Sequence, residues 1–396
     1  MNDRPAVLGG TPVFEQKVNI VRPVLPQLPE MASDMEAILQ SGMVTKGRYL
    51  RAFEDAVREH LGVRHAVAVS SCTSGLMLTY RGLGLTGDVV VPSFTFMATV
   101  AALVWSGLRP VYADVVPETT NLDPAAAEAA ITPNTSAIVA VHNFGNPAAA
   151  DELAAIARKH GLKLIFDAAH GFGARYQGRP IGEQGDANIF SLSPTKLLIA
   201  GEGGIVATND DELAERIRLG REYGNDGHYD TVFAGLNARM SEFNALLGLK
   251  SLGMLEAAAA SRNETAARFE EWLGRLPGVS FQKVRPGDRC SYKDFSIVID
   301  PEKFGMNRDE LALALAAEGV DTRKYYYPAV HHQSAYAAYY QGQPLPATDL
   351  LETHSLSLPI WSHMPVEVTE GICRALERIH LNARAVREQL GAGQRA

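Results

Sequence analysis

The sequence has few cysteines, no cluster of basic residues and no long hydrophobic run. Three cysteines occur in 396 residues, and Cys72, Cys290 and Cys373 lie far apart without a C-x-x-C pair. This spacing argues against a disulfide framework or a zinc site built on cysteine. The net charge is −8 and lysines and arginines form no stripe, which disfavours a nucleic-acid partner.

Two kinds of targeting segment are also missing from the sequence. No apolar run approaches the length of about 18 residues that a bilayer span requires. The first residues, MNDRPAVLGGTPVF, lack the basic and apolar regions of a signal peptide. We therefore expect a cytoplasmic protein without a membrane partner.

Short apolar runs rich in β-branched residues recur between Val63 and Asp210, and helical patterns separate them. Several runs are apolar throughout, as in strands that are buried on both faces of a mainly parallel sheet. The pattern predicts an α/β architecture. The seven predicted strands are 65–71, 89–94, 110–115, 136–144, 162–169, 187–193 and 203–210.

The second half of the chain is mostly helical and ends in a smaller unit. The long run 240–273 predicts either two helices or one bent helix that links two domains. Beyond Pro277-Gly278 the sequence predicts a strand, a helix and one final long helix, at 295–300, 307–319 and 365–390. We expect a large domain over 1–255 and a small α+β domain over 256–396. The segment 1–30 is expected to pack on the small domain.

Three chemically useful residues follow predicted strands. Asp167 and His170 end one strand, and Lys196 follows the next. In open α/β sheets, ligands bind at the carboxyl ends of the strands. A lysine with a lowered pKa condenses with an aldehyde, and a buried carboxylate keeps the ring nitrogen of pyridoxal phosphate protonated. Taken singly, however, a lysine in this place is usually a solvated surface residue, and an aspartate near a strand end is most often a cap or turn former.

The segment 70–75 joins a predicted strand to a predicted helix. Its hydroxyls and the free N–H groups of the helix start would attract a phosphate. A simple helix N-cap is the alternative reading of this segment.

Eight short motifs follow one another along the chain. They are S-S-C-T-S-G-L (70–76), V-P-S-F-T-F-M-A-T (91–99), V-H-N-F-G-N-P (141–147), F-D-A-A-H (166–170), F-S-L-S-P-T-K (190–196), G-E-G-G (201–204), G-L-N-A-R-M-S-E (235–242) and Y-Y-Y-P-A-V-H (325–331). In this order they resemble the DegT/DnrJ/EryC1/StrS family of aminotransferases, and together they cover nearly the whole sequence. The resemblance implies a fold-type-I pyridoxal-phosphate enzyme, and most members act on nucleotide-linked ketosugars.

The resemblance implies a role for each cofactor-binding position. Lys196 would form the Schiff base and then carry the proton between substrate and cofactor carbons, while Asp167 would pair with the pyridine nitrogen. His170 would lie beside the cofactor, and Phe96 would stack on its ring, with ordinary core packing as the alternative. Cys72 stands where the family often has glycine. The residues expected at the cofactor phosphate are Thr73, Ser74 and Ser191.

The family places its active sites at a dimer interface, with a loop from the second subunit reaching the phosphate. Asn237 and Arg239 match that loop, which implies a homodimer with shared sites. The alternative is that Arg239 caps the helix that starts near Met240.

Four further residues resemble family positions on the substrate side. Lys46 and Arg48 could meet a diphosphate, and Tyr327 and His331 could line the sugar. The pair His331-His332 has no flanking carboxylates in the sequence, so we predict no metal site.

The reaction is predicted from one position and two segments. Related dehydratases carry histidine where Lys196 stands, so transamination is preferred over deoxygenation. The segments 8–14 and 322–331 look most like enzymes acting on dTDP-4-keto-6-deoxyglucose, which implies a 4-amino-4,6-dideoxy sugar with L-glutamate as donor, in antibiotic or polysaccharide biosynthesis. A 3-keto sugar nucleotide, a cyclitol ketone, or a catalytically silent regulator on the same fold are the alternatives.

Overall fold

The computed structural model describes residues 4–393. The helices are α1 (Ala32–Ser41), α2 (Arg48–Leu61), α3 (Cys72–Gly82), α4 (Ala98–Trp105), α5 (Pro124–Ala129), α6 (Ala150–His160), α7 (Asp211–Gly220), α8 (Glu242–Leu252), α9 (Leu255–Leu273), α10 (Pro301–Phe304), α11 (Arg308–Ala317), α12 (Pro346–His354), α13 (Val366–Leu381) and α14 (Ala383–Gly393). The strands are β1 (His65–Val69), β2 (Asp88–Pro92), β3 (Arg109–Ala113), β4 (Thr135–Val141), β5 (Lys163–Asp167), β6 (Arg175–Tyr176), β7 (Arg179–Pro180), β8 (Ala187–Ser191), β9 (Gly204–Thr208), β10 (Val279–Phe281), β11 (Phe295–Ile299) and β12 (Ser355–Leu358).

A seven-stranded sheet with the order β1-β9-β8-β5-β4-β2-β3 forms the centre of the larger unit. Only β9 runs antiparallel to its neighbours in this sheet, and the other pairings are parallel. All seven predicted runs form these strands, so the predicted α/β fold with a mainly parallel seven-stranded sheet is confirmed.

Helices cover both faces of this sheet, which explains why its strands are apolar throughout. Along β5, Leu164 and Phe166 belong to the core on one face, together with Phe53 of α2. Ile165 points the other way, into the core formed with Leu76 of α3. Alternate side chains therefore enter opposite cores, as the period of a strand requires.

The carboxyl end of β1 leads into α3 through a tightly packed turn. The Oγ atom of Ser71 accepts the N–H of Ser74, and Oγ of Ser74 accepts the N–H of Ser71, each at 3.1 Å. A Cβ atom on Gly204 would lie 2.6 Å from the carbonyl carbon of Ser71. Glycine at the start of β9 therefore lets this strand approach the beginning of α3.

The smaller unit has a core of its own, which surrounds the antiparallel sheet β10-β11-β12 and is called the second core. Of these strands, only β11 is predicted from the sequence. Val7, Phe14 and Val18 pack against this core, and the backbone N–H of Ala6 donates to the buried Glu318 carboxylate at 2.9 Å. The domain boundary at 255/256 stays a prediction, which these two cores support, and its outer limits, 1–3 and 394–396, lie outside the described residues.

Of the two long helical segments predicted from the sequence, one agrees with the structure and one does not. The run 240–273 forms two helices, α8 and α9, which is one of the two predicted alternatives. The prediction of one final helix over 365–390 is wrong, because α13 ends at Leu381 and α14 begins at Ala383. Asn382 leaves helical geometry, with φ −112° and ψ 17°, and this break lets the buried Val386 join the second core. Within residues 4–393, no helix has both the length and the apolar character that a membrane crossing demands.

Candidate active site

A cavity of about 340 Å³ lies at the carboxyl ends of β5 and β8, where parallel strands present ligand-binding residues. It brings together Asp167, His170 and Lys196, which are distant in the sequence. The second unit closes the cavity with a group of polar and aromatic side chains. This group is Lys293, Asp294, Tyr325 and Tyr326.

Asp167 ends β5 with only 4% of its surface exposed. Its Oδ2 accepts a 2.7 Å hydrogen bond from Thr99 Oγ1, and its Oδ1 accepts the N–H of Ala169 at 3.0 Å. Burial raises the pKa of Asp167, and these two hydrogen bonds oppose that rise. The two donors thus stabilise a buried carboxylate, which needs a cation to balance it.

Lys196 lies in the turn after β8, where its N–H donates to the carbonyl of Ser193 at 3.0 Å. Burial and the charge of Lys293 together lower the pKa of Lys196 to about 8. At pH 7 about a tenth of this amine is therefore unprotonated and able to attack a carbonyl, far more than for an ordinary lysine.

The predicted phosphate residues divide into two groups. Thr73 and Ser191 line the cavity beside the first turn of α3. The hydroxyl of Ser74 instead forms the capping box with Ser71 and lies 3.1 Å from Oγ of Ser70. The N-terminal turn of α3 and the two cavity-lining hydroxyls could hold an anion such as a phosphate, and Ser74 caps the turn that presents them.

Phe96 and His170, the two residues predicted to lie beside the cofactor ring, both line the cavity. Phe96 is a large aromatic side chain that remains 49% exposed there, so core packing does not account for it. Burial and the charge of Lys196 lower the pKa of His170 well below its usual range. Its Nδ1 is buried and has no hydrogen-bond partner among the described residues.

These features fit pyridoxal phosphate, the cofactor expected from the sequence. The amine of Lys196 suits its aldehyde, the Asp167 carboxylate suits its ring nitrogen, and the start of α3 suits its phosphate. The unpaired Nδ1 of His170 leaves one buried polar atom for a further cofactor oxygen. The donor set therefore matches the chemical groups of this cofactor.

Sequence reasoning missed several residues of this cavity. Thr99 belongs to the motif 91–99, but only the aromatic ring of that motif was given a role. Lys293 and Asp294 form an ion pair, with 2.8 Å between Nζ and Oδ1, and their side chains are 7% and 6% exposed. A charged pair just before an apolar strand is typical of a solvated turn, so the sequence carries no signal of its burial.

Lys46, predicted on the substrate side, lies next to the predicted dimer loop of Asn237 and Arg239, and all three lie outside this cavity. A bridge joins Thr45 to Ser241, which places Lys46 beside Arg239. Both cations bind Oε2 of Glu222, at 2.7 Å from Lys46 Nζ and 3.0 Å from Arg239 Nη1. Asn237 pairs with Glu222 through another backbone bridge.

The remaining predicted substrate residues do not line the cavity either. The guanidinium of Arg48 stacks over the ring of Tyr49 at 4.6 Å from its centroid. Tyr327 is exposed and packs over Arg308. His331 is buried, with 2.6 Å between its Nδ1 and Ser93 Oγ. None of these three side chains therefore lines the cavity that contains Lys196.

The fold brings two carboxylates to His331 and His332, although none flanks this pair in the sequence. Helix α12 lies beside the turn that carries His331 and His332, and it brings two carboxylates to them. Oδ1 of Asp349 is 3.4 Å from Nε2 of His331, and Oε2 of Glu352 is 2.8 Å from Nδ1 of His332. Because these pairs are 18 and 20 positions apart, inspection of the flanking sequence could not detect them.

Comparison with known proteins places the cavity in a family context. The family model described as the DegT/DnrJ/EryC1/StrS aminotransferase family matches residues 28–377. The dTDP-3-amino-3,4,6-trideoxy-alpha-D-glucose transaminase of Streptomyces venezuelae is 37% identical over 333 residues, which are 83% of this chain and 86% of that protein. The spore coat polysaccharide biosynthesis protein SpsC of Bacillus subtilis (strain 168) is 32% identical over 371 residues, 88% of this chain and 94% of that protein.

The solved structures give a full-length match as well. The crystal structure of DesI in the presence of its TDP-sugar product superposes with a TM-score of 0.90. The two sequences are 39% identical, and the match covers 100% of each chain. The likeness therefore extends over both cores and over the cavity between them.

Proposed function

Because this chain belongs to the DegT/DnrJ/EryC1/StrS aminotransferase family and is a pyridoxal-phosphate-dependent sugar aminotransferase, we propose that it aminates C4 of dTDP-4-keto-6-deoxyglucose. The amino donor in this proposal is L-glutamate, and the product is a 4-amino-4,6-dideoxy sugar. The observation that carries the TDP-linked substrate is the full-length likeness to DesI, whose crystal structure was determined in the presence of its TDP-sugar product. The segments 8–14 and 322–331 support the same substrate, since they resemble 4-keto sugar aminotransferases.

One relative favours a second candidate substrate. The Streptomyces venezuelae transaminase, 37% identical to this chain, is named for a 3-amino sugar. A 3-keto sugar nucleotide would use the same lysine, carboxylate and phosphate site. The two candidates therefore differ in how the sugar lies across the cavity and not in the reaction type.

The chain's own residues divide the chemical work. When bound, pyridoxal phosphate supplies an aldehyde that condenses with amines and a ring that withdraws electrons. Asp167 holds the positive charge of the ring nitrogen, and Thr99 keeps that carboxylate ionised and oriented. Thr73, Ser191 and the start of α3 hold the phosphate, in our assignment.

Lys196 is the proton carrier in this proposal. Its Nζ would accept the proton that leaves the donor's α-carbon and would return it to a carbon of the cofactor, since an amine with a pKa of about 8 can both take and release a proton near neutral pH. The neighbouring charge of Lys293 helps to hold that pKa down. Phe96 and Tyr326 line the same cavity and help to exclude water from it.

We also propose that the active enzyme is a homodimer. Lys46, Arg239 and Asn237 lie together, but they lie outside the cavity of their own chain. Arginine and lysine side chains suit phosphate groups, and a twofold axis would bring this cluster to the cavity of a second copy. Lys46, Asn237 and Arg239 would then act in the active site of the partner subunit.

A two-step spectroscopic experiment tests the reaction and the donor. The visible absorbance band of the cofactor-loaded protein should disappear on addition of L-glutamate and return on addition of the correct ketosugar. The variant Lys196→Ala should show neither change. An unchanged spectrum after L-glutamate would refute this donor.

The position of the new amine needs a separate measurement. The protein would be incubated with L-glutamate and a panel of 4-keto and 3-keto dTDP sugars, and the products analysed by NMR. Amination at C4 with dTDP-4-keto-6-deoxyglucose supports the proposal. Turnover of 3-keto sugars alone would replace it with the second candidate.

A further inference from the structure

Four side chains outside the cavity converge on one point. His331 and His332 lie in a short 3-10 turn, Val330–His332, and Asp349 and Glu352 lie on α12. One ligand atom from each of them lies within 4.8 Å of the ligand atoms of the other three. We propose that this α12 cluster, meaning these four residues, binds a divalent transition-metal ion such as Zn²⁺.

Nε2 of His331 is the strongest indication of a ligand. The residue is 1% exposed, and this buried nitrogen has no hydrogen-bond partner among the described residues. It lies 3.4 Å from Oδ1 of Asp349 without forming a hydrogen bond. Two ligands on a tetrahedral zinc ion, each at about 2.0–2.2 Å from it, are about 3.4 Å apart. The pair is therefore spaced to share an ion.

The other nitrogen of His331 is already engaged. Its Nδ1 lies 2.6 Å from Oγ of Ser93, and that oxygen also accepts the backbone N–H of His331 at 3.1 Å. A histidine that binds a metal through one nitrogen uses the other to bond a neighbouring group, which fixes the orientation of the ring. Ser93 supplies that contact here.

His332 and Glu352 complete the donor set. Nδ1 of His332 is 2.8 Å from Oε2 of Glu352, and the two histidine rings lie 3.8 Å apart between centroids. The Glu352 side chain is 7% exposed, whereas those of His332 and Asp349 are 48% and 54% exposed. The cluster therefore has a buried floor and an open side through which an ion can enter.

The carboxylates sit on an anchored helix. Asp349 and Glu352 are three positions apart, which places them on the same face of α12. At the start of α12, the N–H groups of Ala347 and Thr348 both donate to the Asp114 carboxylate, at 2.9 Å and 2.8 Å. A rigid element thus presents the two oxygen ligands.

The chemistry of the four donor groups limits which metal ion the cluster can bind. Two imidazole nitrogens with two carboxylate oxygens suit Zn²⁺ and its transition-metal neighbours, whereas Mg²⁺ prefers sites built from oxygen alone. The two carboxylates also neutralise the double charge of the ion. Because His331 contacts Ser93, the ion would brace the segment that carries Phe96 and Thr99 into the cavity.

Calorimetric titration of the full-length protein with ZnCl₂, after removal of metals with a chelator and dialysis, tests this inference. We expect one Zn²⁺ per subunit and no comparable binding of Mg²⁺. The variants His332→Ala and Asp349→Asn change half-exposed residues, and each should weaken Zn²⁺ binding about tenfold or more. His354→Ala, on the same helix but outside the cluster, should bind Zn²⁺ like the natural protein.

Thermal unfolding gives a readout that is independent of enzyme activity. Added Zn²⁺ should raise the Tm of the natural protein and of His354→Ala, and raise it less in the two cluster variants, because an ion that binds only the folded state stabilises it. Absence of stoichiometric Zn²⁺ binding would overturn the inference. Equal Zn²⁺ affinity of His332→Ala, Asp349→Asn and the natural protein would overturn it as well.

Discussion

Thr99 donates a 2.7 Å hydrogen bond from its hydroxyl to Oδ2 of the buried Asp167. Thr99 lies near the start of α4, whereas Asp167 ends β5, so the bond joins two elements that converge only in the folded chain. The hydroxyl opposes the rise that burial causes in the pKa of Asp167. Thr99 is therefore a positioning residue for the carboxylate that we assign to the cofactor ring.

Replacing Thr99 by valine should weaken cofactor binding. The Asp167 carboxylate then keeps fewer donors, its pKa rises, and its hold on a positively charged ring nitrogen falls. A hydrogen bond to a charged group contributes about 1.5 kcal/mol, so we expect a loss of about tenfold in cofactor affinity. Titration of the apoprotein with pyridoxal phosphate, followed by absorbance, measures this loss.

A matched control for this variant is Thr79→Val. Thr79 is also buried, but its hydroxyl donates to the carbonyl of Gly75 inside α3 at 2.8 Å. Its replacement should leave cofactor affinity close to that of the natural protein. Equal affinities of Thr99→Val and Thr79→Val would contradict the positioning role.

The reactivity of Lys196 should depend on pH and on Lys293. Only the neutral amine attacks an aldehyde, and its pKa is lowered to about 8, so covalent loading of the apoprotein should accelerate as pH rises and level off above that value. Lys293→Met removes a cation that holds this pKa down. The midpoint of the pH dependence of the loading rate should then move to higher pH, and loading at neutral pH should slow roughly threefold or more.

Stopped-flow absorbance across a pH series measures the loading rate. Lys163→Met serves as the control, because Lys163 is half-exposed and pairs with Asp186, outside the cavity. Its profile should match that of the natural protein. A midpoint that stays in place, or moves to lower pH, in Lys293→Met would disprove the electrostatic link.

Subunit complementation should reveal a shared active site. Lys196→Ala and Arg239→Ala homodimers should each be nearly inactive, because one lacks the amine and the other lacks the guanidinium that we assign to the partner's site. Mixed dimers contain one intact site if Arg239 acts across the interface. Random mixing of equal amounts should therefore restore about a quarter of the natural activity.

The complementation experiment needs folded dimers that contain one subunit of each variant. Co-expression with two different affinity tags provides isolated mixed dimers, and steady-state transamination gives their activity. If Arg239 acts within its own chain, the mixed dimers stay inactive. Full activity of the Arg239→Ala homodimer would show that this arginine has no role at the phosphate.

His142 should make the fold sensitive to acid. Its ring is buried against Phe166, with 4.9 Å between the centroids, and its Nδ1 accepts the N–H of Ala148 at 2.9 Å. Burial lowers its pKa to about 4, below the value of about 6.5 for an unfolded chain. The unfolded state therefore binds the extra proton between these values, and stability falls as pH drops through this window.

A pKa difference of this size corresponds to about 3 kcal/mol. His142→Asn keeps an acceptor for the Ala148 N–H but cannot take up that proton. Its free energy of unfolding, measured by denaturant titration, should therefore decline less between pH 6.5 and pH 4 than that of the natural protein. His228→Asn, which changes an exposed histidine, should decline like the natural protein. Parallel declines in all three proteins would exclude His142 as the source.

Local sequence was sufficient to predict the seven strands of the large sheet and to bring Lys196 and Asp167 forward as candidate site residues. The predicted strands became the seven-stranded sheet because the period of buried side chains is written in neighbouring residues. Lys196 and Asp167 could be predicted to share one cavity because each lies at the carboxyl end of such a strand, and these ends meet at one edge of the sheet. The family resemblance then supplied the cofactor, and the family match over residues 28–377 confirmed it.

The contacts between distant segments were decided by the tertiary structure alone. Asn382 interrupts a helical pattern that continues on both sides, because Val386 gains burial from the break. The hydroxyl of Ser74 takes part in the cap of α3, and Lys293 and Asp294 become a buried pair only when the second unit closes the cavity. His331 meets Asp349 because α12 packs beside a turn 18 residues away. Periodicity determines which face of an element is buried, but only the path of the whole chain determines which two elements share a surface.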